Sequence, residues 1–208
     1  GLAAVMGAVI AGYDPIIAVD LNASRLDMAV ELGATHAVKA SDDAEAQIHA
    51  ITGGGADFAL DAVGLPATLR QAVTALNVGG TAGLVGANAL GQEVSLDLMH
   101  LLFGRTVKGI IEGDTVPGLF IPRLVELFLR GRFPFDKIIE RYPFTEINTA
   151  IADTEAGRQR QEIMGADVGF FLVISRIILK HFGGQRYTLK AISDFKRLEN
   201  EKIRFESE

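Results

Sequence analysis

Cysteine is absent from the 208 residues. That excludes a disulfide framework and any thiolate metal site built within the chain. An excess of basic charge is also missing: the net charge is −6 and the pI is near 5.3. A general nucleic-acid-binding surface needs clustered Lys and Arg, so that class is excluded. Long hydrophobic runs are scarce. In the tail, residues 170–174 (FFLVI) and 177–179 are apolar, but Arg176 interrupts them, and the run falls short of the ~20 residues that a membrane span needs. It reads as a buried strand or helix, not a membrane segment. The chain opens GLAAVMGAVIAGY, with neither an initiator Met nor a basic leader. This reads as the inside of a domain and a truncation point rather than as a signal peptide. A cytoplasmic location is expected. The histidines lack the spacing of a metal cluster; His36, His49 and His100 read as surface or locally satisfied residues.

What remains is a chain able to bury a core: 49% hydrophobic and 22% charged. From residue 2 to about 151, helical and strand patterns alternate. Residues 2–12 are small and apolar and end on Gly, as a capped helix does. Residues 15–20 (PIIAVD) form a short continuous apolar run, expected of a strand buried on both faces. Ser24 is expected to N-cap the helix that Gly33 closes. Strands are expected at 36–39, 56–63, 81–85 and 106–112. Helices are expected at 43–52, 66–76, 95–103 and 121–130. Strands separated by helices of about ten residues predict βαβ units and a parallel sheet, an α/β doubly wound architecture with helices on both faces. Charge shifts near residue 158. Residues 1–157 hold 10 basic and 19 acidic side chains (net −9), and 158–208 hold 10 and 7 (net +3). Two segments are therefore expected, a domain over 1–157 and an extension over 158–208. Within the extension, 187–205 reads as a charged amphipathic helix with a solvated face.

Asp20 is the most informative single residue. It ends an apolar strand that follows a helix opened by Gly1. In a dinucleotide-binding βαβ unit, an acid at that place accepts hydrogen bonds from the adenosine ribose and repels a 2′-phosphate, favouring NAD over NADP. Gly1 lies 19 positions earlier, near the spacing of ~20 from the glycine-rich turn. The alternative is a strand-end Asp that caps the next helix, a role that Asn22 or Ser24 can also fill. Asp57 and Asp61 lie four apart on one strand and share a face. Asp57 reads as strand-start polarity, and Asp61 as a neighbour of the cleft.

The segment GLAAVMGAVIAGYDPIIAVDLNASRLDMAVELGATHAV, followed in order by GADFALDAVG, GGTAGLVG, GRTVKGIIEGD and PRLVELFLRGRFPFDKII, resembles the coenzyme domain of zinc-dependent medium-chain alcohol dehydrogenases. The resemblance runs from residue 1 to about 157, and GIIEGD with GRFPFDKII looks most like the aryl-alcohol (benzyl alcohol) branch. It implies a Rossmann-type sheet and hydride transfer between an alcohol, aromatic in class, and NAD. By position, Gly1 resembles the last glycine of the phosphate-binding turn, Asp20 the ribose-binding acid, and Arg25 the basic residue beside the ribose or its phosphate. Val63 with Gly64, and Val85 with Gly86, resemble the strand ends that line the coenzyme cleft. Ile110 and Glu112 fall where backbone groups hold the nicotinamide carboxamide. The family also implies a small alcohol or aldehyde substrate in the full-length protein and a homo-oligomer, dimer or tetramer, formed through coenzyme domains.

Other features of the family do not appear in this text. No catalytic residue is identified. The zinc of the family has no Cys here to ligate it, and the upstream catalytic domain is not in this sequence. The first strand, central in such a sheet, is missing with most of the glycine-rich turn, which leaves neighbouring strands unpaired. After residue 157 the text departs from the family, with Gln161 roughly where a basic residue belongs. Residues 170–175, apolar and β-prone, are one candidate to fill the vacant strand position. The expectation is a coenzyme-binding part that is inactive alone. The alternative is a non-catalytic nucleotide- or partner-binding module of the same fold; a zinc-free quinone reductase relative fits less well, because Asp20 disfavours NADPH.

Overall fold

The computed structural model describes residues 1–155 and 162–165. The expectations for residues 170–175, 187–205 and Gln161 lie outside the described residues. The chain divides into two compact units, the first Gly1–Ile138 and the second starting at Ile139.

In the first unit, α1 (Leu2–Ala11) ends at Gly12, whose φ of 78° lets its N–H turn back to the Ala8 and Val9 carbonyls. Strand β1 (Ile17–Asp20) follows, then α2 (Ala23–Glu31) and β2 (His36–Lys39). The N-cap of α2 is Asn22, not Ser24: the Asn22 side chain accepts from the Ser24 N–H at 2.9 Å. Both are good capping residues, and the turn out of β1 puts Asn22 one place ahead of the first helical residue. Next come α3 (Ala44–Thr52), β3 (Ala56–Asp61), α4 (Pro66–Thr74), β4 (Leu76–Leu84), α5 (Leu98–Leu102), β5 (Thr106–Gly109) and α6 (Pro117–Leu129). Pro66 sits in the first turn of α4, where its missing N–H and fixed φ cost nothing.

Three strand expectations change. β3 ends at Asp61, not 63, where the Asp61 side chain folds onto the Val63 and Gly64 N–H groups. β4 starts at Leu76, not 81, because the Gly79–Gly80 stretch is a bulge inside the strand rather than a turn before it. Pairing with β3 shifts register there, from Ala56↔Leu76 to Phe58↔Thr81, and Gly79 has φ 77°. β5 ends at Gly109, and Glu112 begins a 3₁₀ turn, Glu112–Asp114, instead of closing the strand.

All strand pairs are parallel. This is the doubly wound α/β arrangement expected from the alternation, with the sheet in two pieces. β1 pairs with β2, and β3–β4–β5 form a separate ladder. Among the described residues no ladder joins β1–β2 to β3–β4–β5. Side chains that a complete parallel sheet would bury are instead open: Val19 is 39% exposed, Phe58 60% and Leu60 46%. An edge-on contact between the rings of Tyr13 and Phe58 links the approach to β1 with β3. Helix α3 packs against both β2 and β3. Core clusters lie on each piece. Met6, Met28, Leu32 and Ile138 form one, Ile16, Ala29 and Ala34 a second, and Leu69, Val73, Leu76 and Ala82 a third between α4 and β4.

In the second unit, β6 (Glu140–Pro143) pairs in parallel with β7 (Glu162–Gly165), and α7 (Ile147–Glu155) connects them. The Tyr142 hydroxyl donates to Asp153 Oδ2 at 3.1 Å.

Candidate functional site

Parallel strands aligned in one direction bring their carboxyl ends to one edge, and ligands of such sheets bind there. The candidate residues follow that rule. Asp20 ends β1, Val63 and Gly64 follow β3, Val85 and Gly86 follow β4, and Ile110 follows β5. They form two clusters, one on each piece of the sheet.

The first cluster joins Gly1, Asp20 and Arg25. Asp20 Oδ1 accepts from the Asn22 N–H at 2.8 Å, so the capping role weighed for this residue is present in one oxygen. Its Oδ2 lies 3.9 Å from the Arg25 guanidinium, with both side chains partly open to solvent. Burial holds the Gly1 amino group below its ordinary pKa; the Asp20 carboxylate opposes that and Arg25 adds to it. Gly1 precedes α1, the helix that leads into β1 and Asp20. The Ala4 and Val5 N–H groups bond to the Gly1 carbonyl, whereas the first N–H groups of any helix have no carbonyl behind them and carry its positive partial charge of about half a unit. A partly open carboxylate that accepts hydroxyls thus stands beside a helix end that favours anions.

The second cluster is organised by Asp61, which is 4% exposed. Its Oδ1 accepts from the Val63 and Gly64 N–H groups at 3.0 and 3.2 Å. Its main-chain carbonyl accepts from the Val85 and Gly86 N–H groups, both at 2.9 Å. The Asn88 side-chain amide donates to the Gly64 carbonyl at 3.0 Å. The two loops touch backbone to backbone: a Cβ on Gly64, which has φ +84°, would lie 2.6 Å from the Gly86 carbonyl carbon. These loops are a cradle that only glycine allows. Val63 and Val85 stand open on it, 59% and 47% exposed. Just past the end of β5, the Ile110 N–H bonds to the Leu84 carbonyl at 2.9 Å. From sequence alone Asp61 reads as a neighbour of the cleft. The signal for more was an Asp at a strand end with Gly three places on, the pattern of a side chain that folds back onto its own turn.

Asp57 and Asp61 do not have a shared environment. Asp57 is exposed and Asp61 is in the core. His49 and His100 each contact a main-chain carbonyl, of Thr74 and Val73, and His36 lies by the Thr35 hydroxyl. Among the described residues no group of three or more His, Asp or Glu is placed to hold a metal, and no helix is long and apolar enough to cross a membrane. A shallow depression lined by Arg70, Thr74, Ser95, Asp97 and His100 shares no residue with either cluster.

A family model described as zinc-binding dehydrogenase matches residues 1–129. The chain belongs to the zinc-binding dehydrogenase family. A geraniol dehydrogenase from Castellaniella defragrans is 41% identical over 167 residues, 79% of this chain and 45% of that protein. A benzyl alcohol dehydrogenase from Acinetobacter calcoaceticus superposes with a TM-score of 0.78 at 42% identity, over 80% of this chain and 47% of that one. A zinc-binding-domain alcohol dehydrogenase protein from Burkholderia ambifaria superposes with a TM-score of 0.76 at 50% identity, over 78% and 45%. The chain therefore spans about half the length of the relatives it matches. In a zinc-binding dehydrogenase a Rossmann-type sheet carries the nicotinamide coenzyme, and the strand-end residues here suit that group. Asp20 offers a carboxylate to hydroxyls, and the missing Cβ atoms of Gly64 and Gly86 let the two strand-end loops close on each other at the carboxyl edge of the sheet. Zinc is a different case. The chain has no cysteine and the described residues offer no metal cluster, so they do not fit the ion.

Proposed function

We propose that this chain is the NAD-binding part of an alcohol dehydrogenase, in which hydride passes between an alcohol carbon and the nicotinamide. The observation that carries the coenzyme choice is Asp20. One of its oxygens is held by the Asn22 N–H, and the other faces Arg25 beside the start of α1. A fixed, partly open carboxylate accepts two ribose hydroxyls and repels a 2′-phosphate. NAD, when bound, supplies the hydride acceptor. The chain's residues bind and orient it: Asp20 and Arg25 at the adenosine ribose, the Gly1 end of α1 towards the phosphates, Val63, Gly64, Val85 and Gly86 along its length, and the backbone at Ile110 and Glu112 towards the carboxamide.

For the substrate, the names of two relatives point to one class. Geraniol and benzyl alcohol are primary alcohols whose carbinol carbon adjoins an unsaturated carbon. We assign that class, aromatic members included, to the full-length protein, with a small alcohol or aldehyde as partner. Alone, the chain binds coenzyme without turning over alcohol. A homodimer is the expected assembly. β5 is exposed along all four residues, and the apolar side chains of Ile111, Val116, Leu119 and Phe120 stand open after it.

Calorimetric titration of the chain with NAD and, separately, NADP tests the reading. Saturable NAD binding at least tenfold tighter than NADP is expected. No binding at millimolar NAD, or a preference for NADP, would overturn it.

A further inference from the structure

A buried carboxylate in an apolar strand end is costly unless it is hydrogen-bonded. Asp61 is such a group, and only half of it is satisfied. Oδ1 takes two N–H donors, while Oδ2 has no partner among the described residues. A residue selected for packing at this position, beside Ala59 on the core side of β3, would be apolar. What the carboxylate does instead is geometric. Four backbone N–H groups, of Val63, Gly64, Val85 and Gly86, end on atoms of this one residue. They belong to the two loops that close on each other at Gly64 and Gly86.

We propose that Asp61 is a positioning residue of the coenzyme site: its Oδ1 and its main-chain carbonyl together set the spacing of the two strand-end loops on which the coenzyme lies. It acts through those loops and does not touch the coenzyme. The proposal rests on the coenzyme reading of the site. Its signature differs from that of a structural residue. An apolar side chain at this position leaves the Val63 and Gly64 N–H groups without their acceptor and frees the first loop, whereas an amide keeps that acceptor. Binding should therefore follow the Oδ1 acceptor and the local exchange of these two amides, not global stability alone.

The test uses Asp61→Leu, Asp61→Asn and Asn88→Ala in the full 208-residue chain, with thermal unfolding, NAD titration and amide exchange read on each. Asp61→Leu should unfold at a lower temperature, since Leu is larger than Asp and strips two N–H groups of their acceptor; it should bind NAD about tenfold more weakly and exchange the Val63 and Gly64 amides about tenfold faster. Asp61→Asn keeps the Oδ1 acceptor and should recover most of both losses. Exposed Asn88 holds the same loop from its other side, so Asn88→Ala should weaken binding about threefold without touching the core. Wild-type affinity in Asp61→Leu, or no recovery in Asp61→Asn, would overturn the proposal. If Asp61→Leu does not fold, wild-type affinity in Asn88→Ala overturns it. If the wild-type chain does not bind NAD, the coenzyme reading fails, and unchanged Val63 and Gly64 exchange in the variants independently sinks the loop-positioning role.

Discussion

The Tyr13 ring meets the Phe58 ring edge-on, with centroids 5.3 Å apart and planes at 62°. Tyr13 precedes β1 and Phe58 lies on β3, so the contact ties together two pieces of sheet that share no ladder hydrogen bond among the described residues. An edge-to-face pair contributes ~0.5–1.5 kcal/mol beyond burial. A double-mutant cycle on Tyr13→Ala and Phe58→Ala should return a coupling energy in that range by denaturant unfolding. Additive effects would mean that the rings merely lie near each other.

Asp20 gives the sharpest binding prediction. Asp20→Ala removes the acceptor for the ribose hydroxyls and leaves Arg25 without its nearest acid. NAD affinity should fall about 10- to 100-fold, the loss expected of hydrogen bonds to a charged group. NADP should lose far less, or gain, because the repulsion of a 2′-phosphate is gone. Equal losses for the two coenzymes in parallel titrations would contradict the role given to Asp20.

Gly86→Ala places a methyl group against the Val63–Gly64 backbone. The loops must part to admit it. The expected result is a loss of ~1–3 kcal/mol in stability, the range for overpacking, together with loss of NAD binding. A variant that binds NAD normally would show that the two loops are free to separate.

Stability should sort by burial, not by charge. Leu76 is fully buried between α4 and β4, so Leu76→Ala should cost ~2–5 kcal/mol. The Lys137–Glu31 pair is 3.1 Å long, but both side chains are about half exposed. Lys137→Ala should cost less than ~1 kcal/mol in chemical denaturation. A larger loss from Lys137 than from Leu76 would reverse this ordering of forces.

Much of the fold was legible because its signals are local. Gly12 closes α1, Pro66 opens α4, and β2 occupies the expected four residues. The misreadings share one cause, which is that backbone shape depends on neighbours distant in sequence. Gly79–Gly80 looks like a turn, yet pairing with β3 makes it a bulge within β4. Ile110 and Ile111 look like a continuation of the strand, but β4 ends at Leu84 and pairs with β5 only as far as Gly109. The strands β6 and β7 went unread for the same reason, since Pro143 and the charged Glu140–Arg141 carry no period-two pattern. The site divides likewise. Asp20 announces itself by spacing, whereas the part played by Asp61 is visible only once Gly64 and Gly86 are seen to touch.

The division of the sheet bears on how this domain comes apart. β1–β2 and β3–β4–β5 are separate hydrogen-bonded ladders, each with its own apolar cluster. Cooperativity passes between adjacent strands through shared bonds, and among the described residues no ladder bond joins these two pieces; the Tyr13–Phe58 rings and the flank of α3 bridge them. Such a unit should open as two foldons, not one. The longer β3–β4–β5 ladder with buried Leu76 should keep its amide protection after the shorter β1–β2 ladder has exchanged. Binding would then have a thermodynamic task besides holding a coenzyme. A dinucleotide that spans Asp20 on one ladder and Gly86 on the other makes the two melt as one.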